Sequence, residues 1–232
     1  MLPDMPAARD RVAIVIPTLD ESKTLDGTLR AAFLESSEVV ISDGGSRDDT
    51  VAKATALGAR VVSGPPGRGG QLNRGAGATE REVLLFLHAD TRLPERAAAR
   101  LVERIDGGLE GGAFLIRFDA AGLLYRFGER VVNARTRRFG WALGDQAHFV
   151  RRDVFEAMGG YRDWPILEDV DFIRRLGRRR RLGIVEAAVV TDARRFETRG
   201  KLRTVAVNWL IWALFAAGAS PHRLARLYRH VR

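Results

Sequence analysis

Apolar and polar positions change period several times along the first ninety residues. Residues 12–16 are a short run of β-branched and small apolar side chains ended by Pro17, which reads as a buried strand. Leu25, Leu29 and Phe33 then recur every four positions, which predicts a helix over residues 24–34. Residues 39–41 predict a second strand. A helix over 50–57 follows, with Asp48 and Asp49 at its start and Gly58 at its end. Residues 60–62 predict a third strand, 64–70 a loop, 71–79 a short helix and 83–87 a fourth strand. This alternation of strand and helix at short spacing predicts an α/β fold with a mostly parallel, Rossmann-like sheet sandwiched by helices.

The second half is less regular. Strands are expected over 111–118, 146–150 and 185–190, and helices over 123–134 and 168–176. An apolar helix over 201–217 and a basic amphipathic one over 223–231 complete the chain. We read residues 1–193 as one α/β domain and 194–232 as a helical extension packed on it. The sequence carries no internal repeat and no low-complexity linker.

Composition adds three constraints. Hydrophobic residues make up 46% of the 232, ample for a packed core. There is no cysteine, which excludes disulfides and thiolate metal sites and makes a reducing cytoplasm the default compartment. Residues 1–11 lack an apolar core and carry Asp4 and Asp10, unlike a secretory signal. The formal charge of +9 suits anionic partners such as nucleotide phosphates, nucleic acid or an anionic membrane. Only Lys23, Lys53 and Lys201 are lysines, so arginine-rich compositional background accounts for the excess equally well.

Ligands of open α/β sheets sit at the carboxyl ends of the strands. Pro17-Thr18-Leu19-Asp20-Glu21 follows the first strand, Asp43-Gly44-Gly45-Ser46 the second and His88-Ala89-Asp90-Thr91 the fourth. One such Asp could merely cap the next helix. Three acidic strand ends on one sheet edge of a basic protein point instead to a nucleotide. A carboxylate accepts hydrogen bonds from base and ribose, and another holds Mg²⁺ or Mn²⁺ against a diphosphate. Gly44 and Gly45 let backbone approach a ligand closely. No Walker motif is present, and Gly67-Arg68-Gly69-Gly70 lacks the dinucleotide spacing.

These motifs together resemble family 2 glycosyltransferases, which have the GT-A fold. Gly67 to Ala76, Leu85 to Thr91, Gly144-Asp145-Gln146, Glu168-Asp169 and Arg194-Arg195-Phe196 resemble a small bacterial subfamily of transferases associated with radical-SAM and selenium-related gene clusters. The resemblance runs from about residue 12 to 229. It implies a nucleotide-diphosphate sugar donor, UDP-linked by family preference with GDP donors open, and a small-molecule or lipid-linked acceptor. It places Pro17, Thr18, Asp20 and Glu21 along the nucleotide pocket and Asp43 and Gly44 facing the base. Arg68 and Gln71 would lie near ribose or phosphates. Ala89 and Asp90 match the family's Asp-x-Asp motif, with Asp90 reaching the divalent metal and His88 standing where the first Asp would be. Gly144, Asp145 and Gln146 would lie near donor sugar or acceptor, and Arg194 and Arg195 near the leaving diphosphate.

Glu168-Asp169 matches the Glu-Asp pair of the resemblance, which implies Asp169 as the base that deprotonates the acceptor hydroxyl in an inverting displacement. The residues agree independently: on a helix, Asp169 shares a face with Phe172, Ile173 and Leu176, a half-buried setting that suits a base. Stabilisation of a helix N-terminus is the plainer role for both carboxylates.

Residues 205–219 are apolar except for Asn208, but fifteen helical residues span roughly 22 Å, short of a bilayer core of ~30 Å. A buried helix is the expected reading. Trp209 and Trp212, followed by Arg223, Arg226 and Arg229, would also suit peripheral contact at the inner face of a membrane. The cluster Arg174, Arg175 and 178–181 reads as a solvated helix face. A basic nucleic-acid-binding protein explains the charge but not the acidic strand ends, and no aromatics interleave the cluster for base stacking. We therefore expect no nucleic-acid partner. A nucleotidyltransferase would need a Gly-rich, Arg-containing loop after the first strand, where Pro17-Thr18-Leu19-Asp20-Glu21 stands. A catalytically inactive scaffold of the same fold is the remaining alternative.

Overall fold

The computed structural model describes residues 5–179, 181–193, 207, 210–215 and 217–231. A short helix α1 (Met5–Arg11) leads into β1 (Val12–Thr18), α2 (Leu25–Glu35), β2 (Glu38–Asp43), α3 (Thr50–Ala56), β3 (Arg60–Ser63), α4 (Arg68–Ala76) and β4 (Val83–Phe86). There follow β5 (Thr91–Arg92), α5 (Ala97–Asp106), β6 (Gly111–Phe118), α6 (Leu123–Phe139) and β7 (His148–Arg151). Helices α7 (Arg152–Ala157) and α8 (Glu168–Gly177), strand β8 (Leu182–Thr191) and helix α9 (Pro221–Val231) complete the order. The described strands form one eight-stranded sheet, ordered β3-β2-β1-β4-β7-β6-β8-β5. β1 to β4 are parallel to their neighbours among themselves. β7 runs antiparallel to β4 and β6, β8 parallel to β6, and β5 antiparallel to β8.

Each central strand feeds two cores because its side chains alternate. Val12, Ile14 and Ile16 of β1 join Leu25 and Leu29 of α2 and Leu101 and Val102 of α5 on one face. Ala13 and Val15 join Leu72 of α4, Val154 and Phe155 of α7 and Phe172 and Ile173 of α8 on the other. The second layer has an aromatic centre: Tyr161 stacks on Phe172 with centroids 4.2 Å apart, and Phe86 meets Tyr161 edge-on at 5.0 Å.

Helix α4 lies unusually close to the sheet. A Cβ on Gly75 would overlap Val15, and one on Gly69 would overlap the Arg162 carbonyl. Asn73, one turn along, exchanges two 2.8 Å hydrogen bonds with the backbone of Tyr161. The loop before α8 is thereby tied to α4.

Three local differences from the sequence reading have clear causes. Helix α5 was not anticipated, although Ala98, Leu101, Val102 and Ile105 are buried at helical spacing and Gly107 ends the helix. Its N-terminus is capped from another element: Glu35 of α2 accepts the N–H groups of Arg96 and Ala98 at 2.8 and 3.0 Å. The strand expected over 146–150 begins two residues late, because residues Gly144–Gln146 form a 3₁₀ turn. Arg175 is not on a solvated face. It bonds Asp171 and the carbonyls of Met158 and Gly160, bracing the same loop from α8.

Of the helix expected over 201–217, residues 207 and 210–215 are described and helical. They lean back on the domain: Trp212 stacks with Trp141 at 6.2 Å and Phe215 meets Trp164 at 6.1 Å. Trp209 lies outside the described residues. Among the described residues no helix is long and apolar enough to cross a membrane.

The close approach of α4 gives a sign test. Gly→Ala in a helix ordinarily stabilises by about 1 kcal/mol. Gly75→Ala should instead destabilise by about 1–3 kcal/mol, because Val15 must be displaced. Gly128→Ala in α6, where nothing lies within 4 Å of the added carbon, should stabilise. Urea denaturation of both variants reads the difference, and a stabilised Gly75→Ala would refute the close-packing argument.

Candidate active site

β1, β2 and β4 are adjacent and parallel, so Thr18, Asp43 and the segment 88–90 leave the sheet at the same edge. Two groups of residues form there, with α4 contributing to both.

The first group knits the loops after β1 and β2. Buried Asp43 accepts hydrogen bonds from Thr18 Oγ1 (3.1 Å), Gly45 N (2.8 Å), Ser46 N (2.9 Å) and Ser46 Oγ (2.5 Å). Burial pushes its pKa up, but these bonds outweigh burial and hold it below the ordinary carboxylate value. Most of its acceptor capacity therefore goes to the turn. Asp20 adopts φ 56° and accepts the Arg47 N–H at 2.7 Å, while its own N–H donates to Ser46 Oγ. The Glu21 N–H donates to Thr50 Oγ1 at 2.9 Å. Gln71 of α4 donates both amide hydrogens, to the Thr18 and Ser42 carbonyls at 2.8 and 2.9 Å. Its donors are thus spent fastening β1 to β2, and a Cβ on Gly44 would press on its amide. Pro17, half-buried, pairs in register with Ser42.

The second group is a cluster of carboxylates. The Ala89 carbonyl accepts from Thr28 of α2 at 2.9 Å, the Asp90 carbonyl accepts the Asp192 N–H at 3.1 Å, and Thr91 bonds Thr191 at 3.0 Å. These bonds fix the turn that presents the half-buried Asp90. Asp169 enters at the start of α8. Its Oδ2 accepts the Gly144 N–H at 2.7 Å and its Oδ1 the Val170 N–H at 2.8 Å. Gly144 has no room for a side chain: a Cβ would stand 2.9 Å from His88 Nε2 and 3.1 Å from Asp169 Oδ2. That glycine therefore brings His88, Asp145 and Asp169 together.

Arg68, the first residue of α4, feels Glu168, Asp169, Asp90 and Asp145 at once. Burial lowers its pKa, and the four carboxylates raise it by more. It pairs with Glu168 at 3.5 Å. Burial, then Asp169, pushes the Glu168 pKa up, with Arg68 opposing. Asp145 is pushed up to about 6 by burial, then by Asp169 and Asp90, and its Oδ1 is buried with no hydrogen-bond partner among the described residues. Gln146 is buried and turned inward, donating to the Phe114 carbonyl at 3.0 Å and accepting from Thr136 and Leu143 N at 3.1 Å each.

Arg194 and Arg195 lie outside the described residues. A residue that the sequence reading missed joins the site instead. Arg135 of α6 acts on Asp145 and Asp169. No linear motif marks it, because it is one arginine among several on a helix with no counterpart in the strand-end pattern.

Backbone strain concentrates at the same place. Of the four described non-glycine residues with positive φ, Asp20, Ala147 (φ 47°) and Leu167 (φ 63°) belong to or adjoin these groups. Each costs of order 1 kcal/mol or more, and strain of this kind collects where a site dictates the backbone.

Whether a divalent ion fits is a question of ligand number. Among the described residues no group of three or more His, Asp or Glu side chains is placed to hold one. Asp90 offers a single carboxylate at a fixed turn. That suits an ion bound chiefly through phosphate oxygens and water, as Mg²⁺ commonly is.

Comparison with known proteins agrees with this architecture. Over 104 residues the chain is 32% identical to an uncharacterised glycosyltransferase of Mycobacterium tuberculosis, covering 44% of this chain and 47% of that protein. Over 92 residues it is 32% identical to the glucosyl-3-phosphoglycerate synthase of the same organism, covering 34% of this chain and 28% of that protein. The chain thus spans less than half the length of these curated relatives. The fold resembles S. aureus TarS with a TM-score of 0.61, at 17% identity over 85% of this chain and 39% of that one. It also resembles the M. tuberculosis glucosyl-3-phosphoglycerate synthase in complex with Mn²⁺, UDP and glucosyl-3-phosphoglycerate. That match has a TM-score of 0.57 at 22% identity, over 82% of this chain and 76% of that one. Residues 13–155, which run from β1 through the acidic strand ends to α7, match the sequence model of glycosyl transferase family 2, and the chain belongs to that family.

Proposed function

We propose that this protein transfers a sugar from a nucleoside diphosphate donor, UDP-linked by preference, to a hydroxyl acceptor with inversion at the anomeric carbon. The observation that carries this reading is the convergence of Asp90, Asp145, Glu168 and Asp169 on Arg68 beside the β1 and β2 loops. The UDP and Mn²⁺ bound by the mycobacterial synthase of the same fold favour a uridine donor and a divalent ion here.

In this reading the first group and the first turn of α4 line the nucleotide pocket. Asp90 holds the divalent ion, which when bound neutralises the diphosphate. Asp169 is the base. Each of its oxygens accepts one backbone N–H, which fixes its orientation and leaves lone pairs for the acceptor O–H. The N-terminus of α8 favours its negative charge. The acceptor oxygen bonds to the anomeric carbon as its proton passes to Asp169, and the bond to the diphosphate oxygen breaks on the opposite face. Glu168, buried and paired to Arg68, positions that guanidinium. The sheet-bearing unit to residue 193 would hold both substrates, with the helical extension packed on it through Trp212 on Trp141 and Phe215 on Trp164.

Titration calorimetry with UDP and GDP, with and without Mn²⁺, tests the donor site. One nucleotide should bind in a metal-dependent way and bind more weakly to Asp90→Ala; no binding of either under any metal condition would sink the assignment. Asp169→Asn should keep the nucleotide affinity while UDP release from a panel of UDP-sugars falls roughly 10²–10⁴-fold. Release at the wild-type rate would remove Asp169 as base.

Asp145 gives a pH test. Between its ordinary value of 3.8 and about 6 the folded chain retains a proton that the unfolded chain gives up, so its contribution to stability declines as pH rises through that window. Asp145→Asn should therefore be more stable than wild type at pH 7.5 by up to about 3 kcal/mol. The gap should close below pH 4. An equal melting temperature at both pH values would contradict the burial argument.

A further inference from the structure

Arg135 is set apart from other partly buried arginines by what its nitrogens bond. Arg9, Arg74 and Arg152 each have one buried nitrogen without a partner, but each uses another: on the Phe33 carbonyl, the Asp43 carbonyl, and the Arg81 and Ala76 carbonyls respectively. Arg135 Nε and Nη2 are both buried with no hydrogen-bond partner among the described residues. The guanidinium is still held in place, with its carbon 5.9 Å from the centre of the Trp212 ring. Trp212 in turn stacks on Trp141. A ring beneath a guanidinium fixes its plane and uses none of its edge donors.

A buried donor without an acceptor costs about 1–3 kcal/mol, more when charged, and such a group in a site commonly waits for a ligand. Location narrows the ligand. α6 packs on β6, in the half of the sheet away from the β1 and β2 loops, whereas α4 and its Arg68 pack on β1 and β2. Arg68 is already committed to Glu168. Arg135 lies within electrostatic reach of Asp145 and of Asp169, the residue at which the reading above puts the acceptor hydroxyl.

Charge narrows it further. Asp90, Asp145, Glu168 and Asp169 make this edge repulsive to any second anion. An anionic acceptor can settle beside Asp169 only against a cation whose N–H donors no described carboxylate has taken, and a planar fork of N–H groups matches a carboxylate or phosphate in two bonds.

We propose that Arg135 is the acceptor-anion site: the hydroxyl compound that receives the sugar carries a phosphate or carboxylate, which Arg135 binds while its hydroxyl lies at Asp169. This rests on the transferase reading, and the test separates the two. Wild type, Arg135→Gln and Arg135→Lys are saturated with UDP and Mn²⁺ and titrated with glycerol 3-phosphate, D-glycerate and uncharged glycerol. The same titration with phosphatidylcholine vesicles, with and without phosphatidic acid, separates a lipid-borne phosphate from a free one.

The expected result is binding of an anionic probe but not of glycerol. Arg135→Gln should weaken that binding by on the order of tenfold or more, with partial recovery in Arg135→Lys and UDP affinity held within about twofold. Anion binding unchanged in Arg135→Gln would overturn the proposal. So would an equal loss of UDP affinity, which would make Arg135 a donor-diphosphate residue. Wild type that binds UDP but prefers no anionic probe over glycerol would refute the acceptor class and leave the transferase reading standing. Wild type that binds no UDP would refute both. Melting curves of the three proteins, expected to coincide within a few degrees, identify a variant that has merely lost its fold.

Discussion

Like charge at close quarters is the constraint on which the site depends. Asp90, Asp145, Glu168 and Asp169 act on one another or on the same guanidinium, and Asp145 and Glu168 are both raised above their ordinary values by burial and then by Asp169. Such a group is tolerated only with compensation. Compensation comes from Arg68 at the start of α4, from the N-terminus of α8, and from the Gly144 N–H that takes one oxygen of Asp169. None of these is a free-standing surface charge. Each is a fixed feature of the backbone or of a helix end, so the electrostatics of the site and the packing of α4 and α8 are one problem.

That link explains why the loop before α8 is braced so heavily. Asn73 holds it from α4 by two backbone bonds, and Arg175 holds it from α8 by two more, to the carbonyls of Met158 and Gly160. Gly69 has no side chain because that loop's carbonyl occupies the space. If the loop moved by even the width of a methyl group, Arg68 and Glu168 would separate and leave a buried carboxylate unpaired, the costlier outcome for an ion pair out of water. The left-handed Leu167 immediately before Glu168 is the local strain accepted to keep that register.

The strands that end at the site were legible because their apolar runs are short and bounded by Pro17, Gly44 and His88. The position of Asp169 on an apolar helix face could also be read, since a 3.6-residue period needs no partner to be recognised. What a side chain does once it arrives there was less accessible. Gln71 and Gln146 sit where ligand contacts are expected, yet one spends its amide donors fastening β1 to β2 and the other turns inward to the Phe114 carbonyl. An amide looks the same in sequence whether its partner is a ligand or a carbonyl distant along the chain. Helix α5 escaped for a related reason, since the carboxylate that caps it belongs to Glu35 of α2, about sixty positions earlier. Arg135 had no local signal at all, and only the fold, which packs α6 on β6, brings it within electrostatic reach of Asp145 and Asp169.

His88 bears on how donor and ion would bind. A carboxylate there would add a fifth negative charge to the group, so an imidazole beside Gly144 spares Asp90 and Asp169 that further repulsion. The same exchange removes a strong oxygen ligand. With one carboxylate at the turn and no three-residue metal set among the described side chains, the proposed site would depend on further ligands to hold a divalent ion. A diphosphate alone would meet an edge of four carboxylates and be repelled. Each supplies what the other lacks: the phosphates complete the coordination of the ion, and the ion cancels the charge of the phosphates. In the proposed transferase the two should therefore enter with strong mutual dependence, and by linkage each must raise the affinity for the other by the same factor.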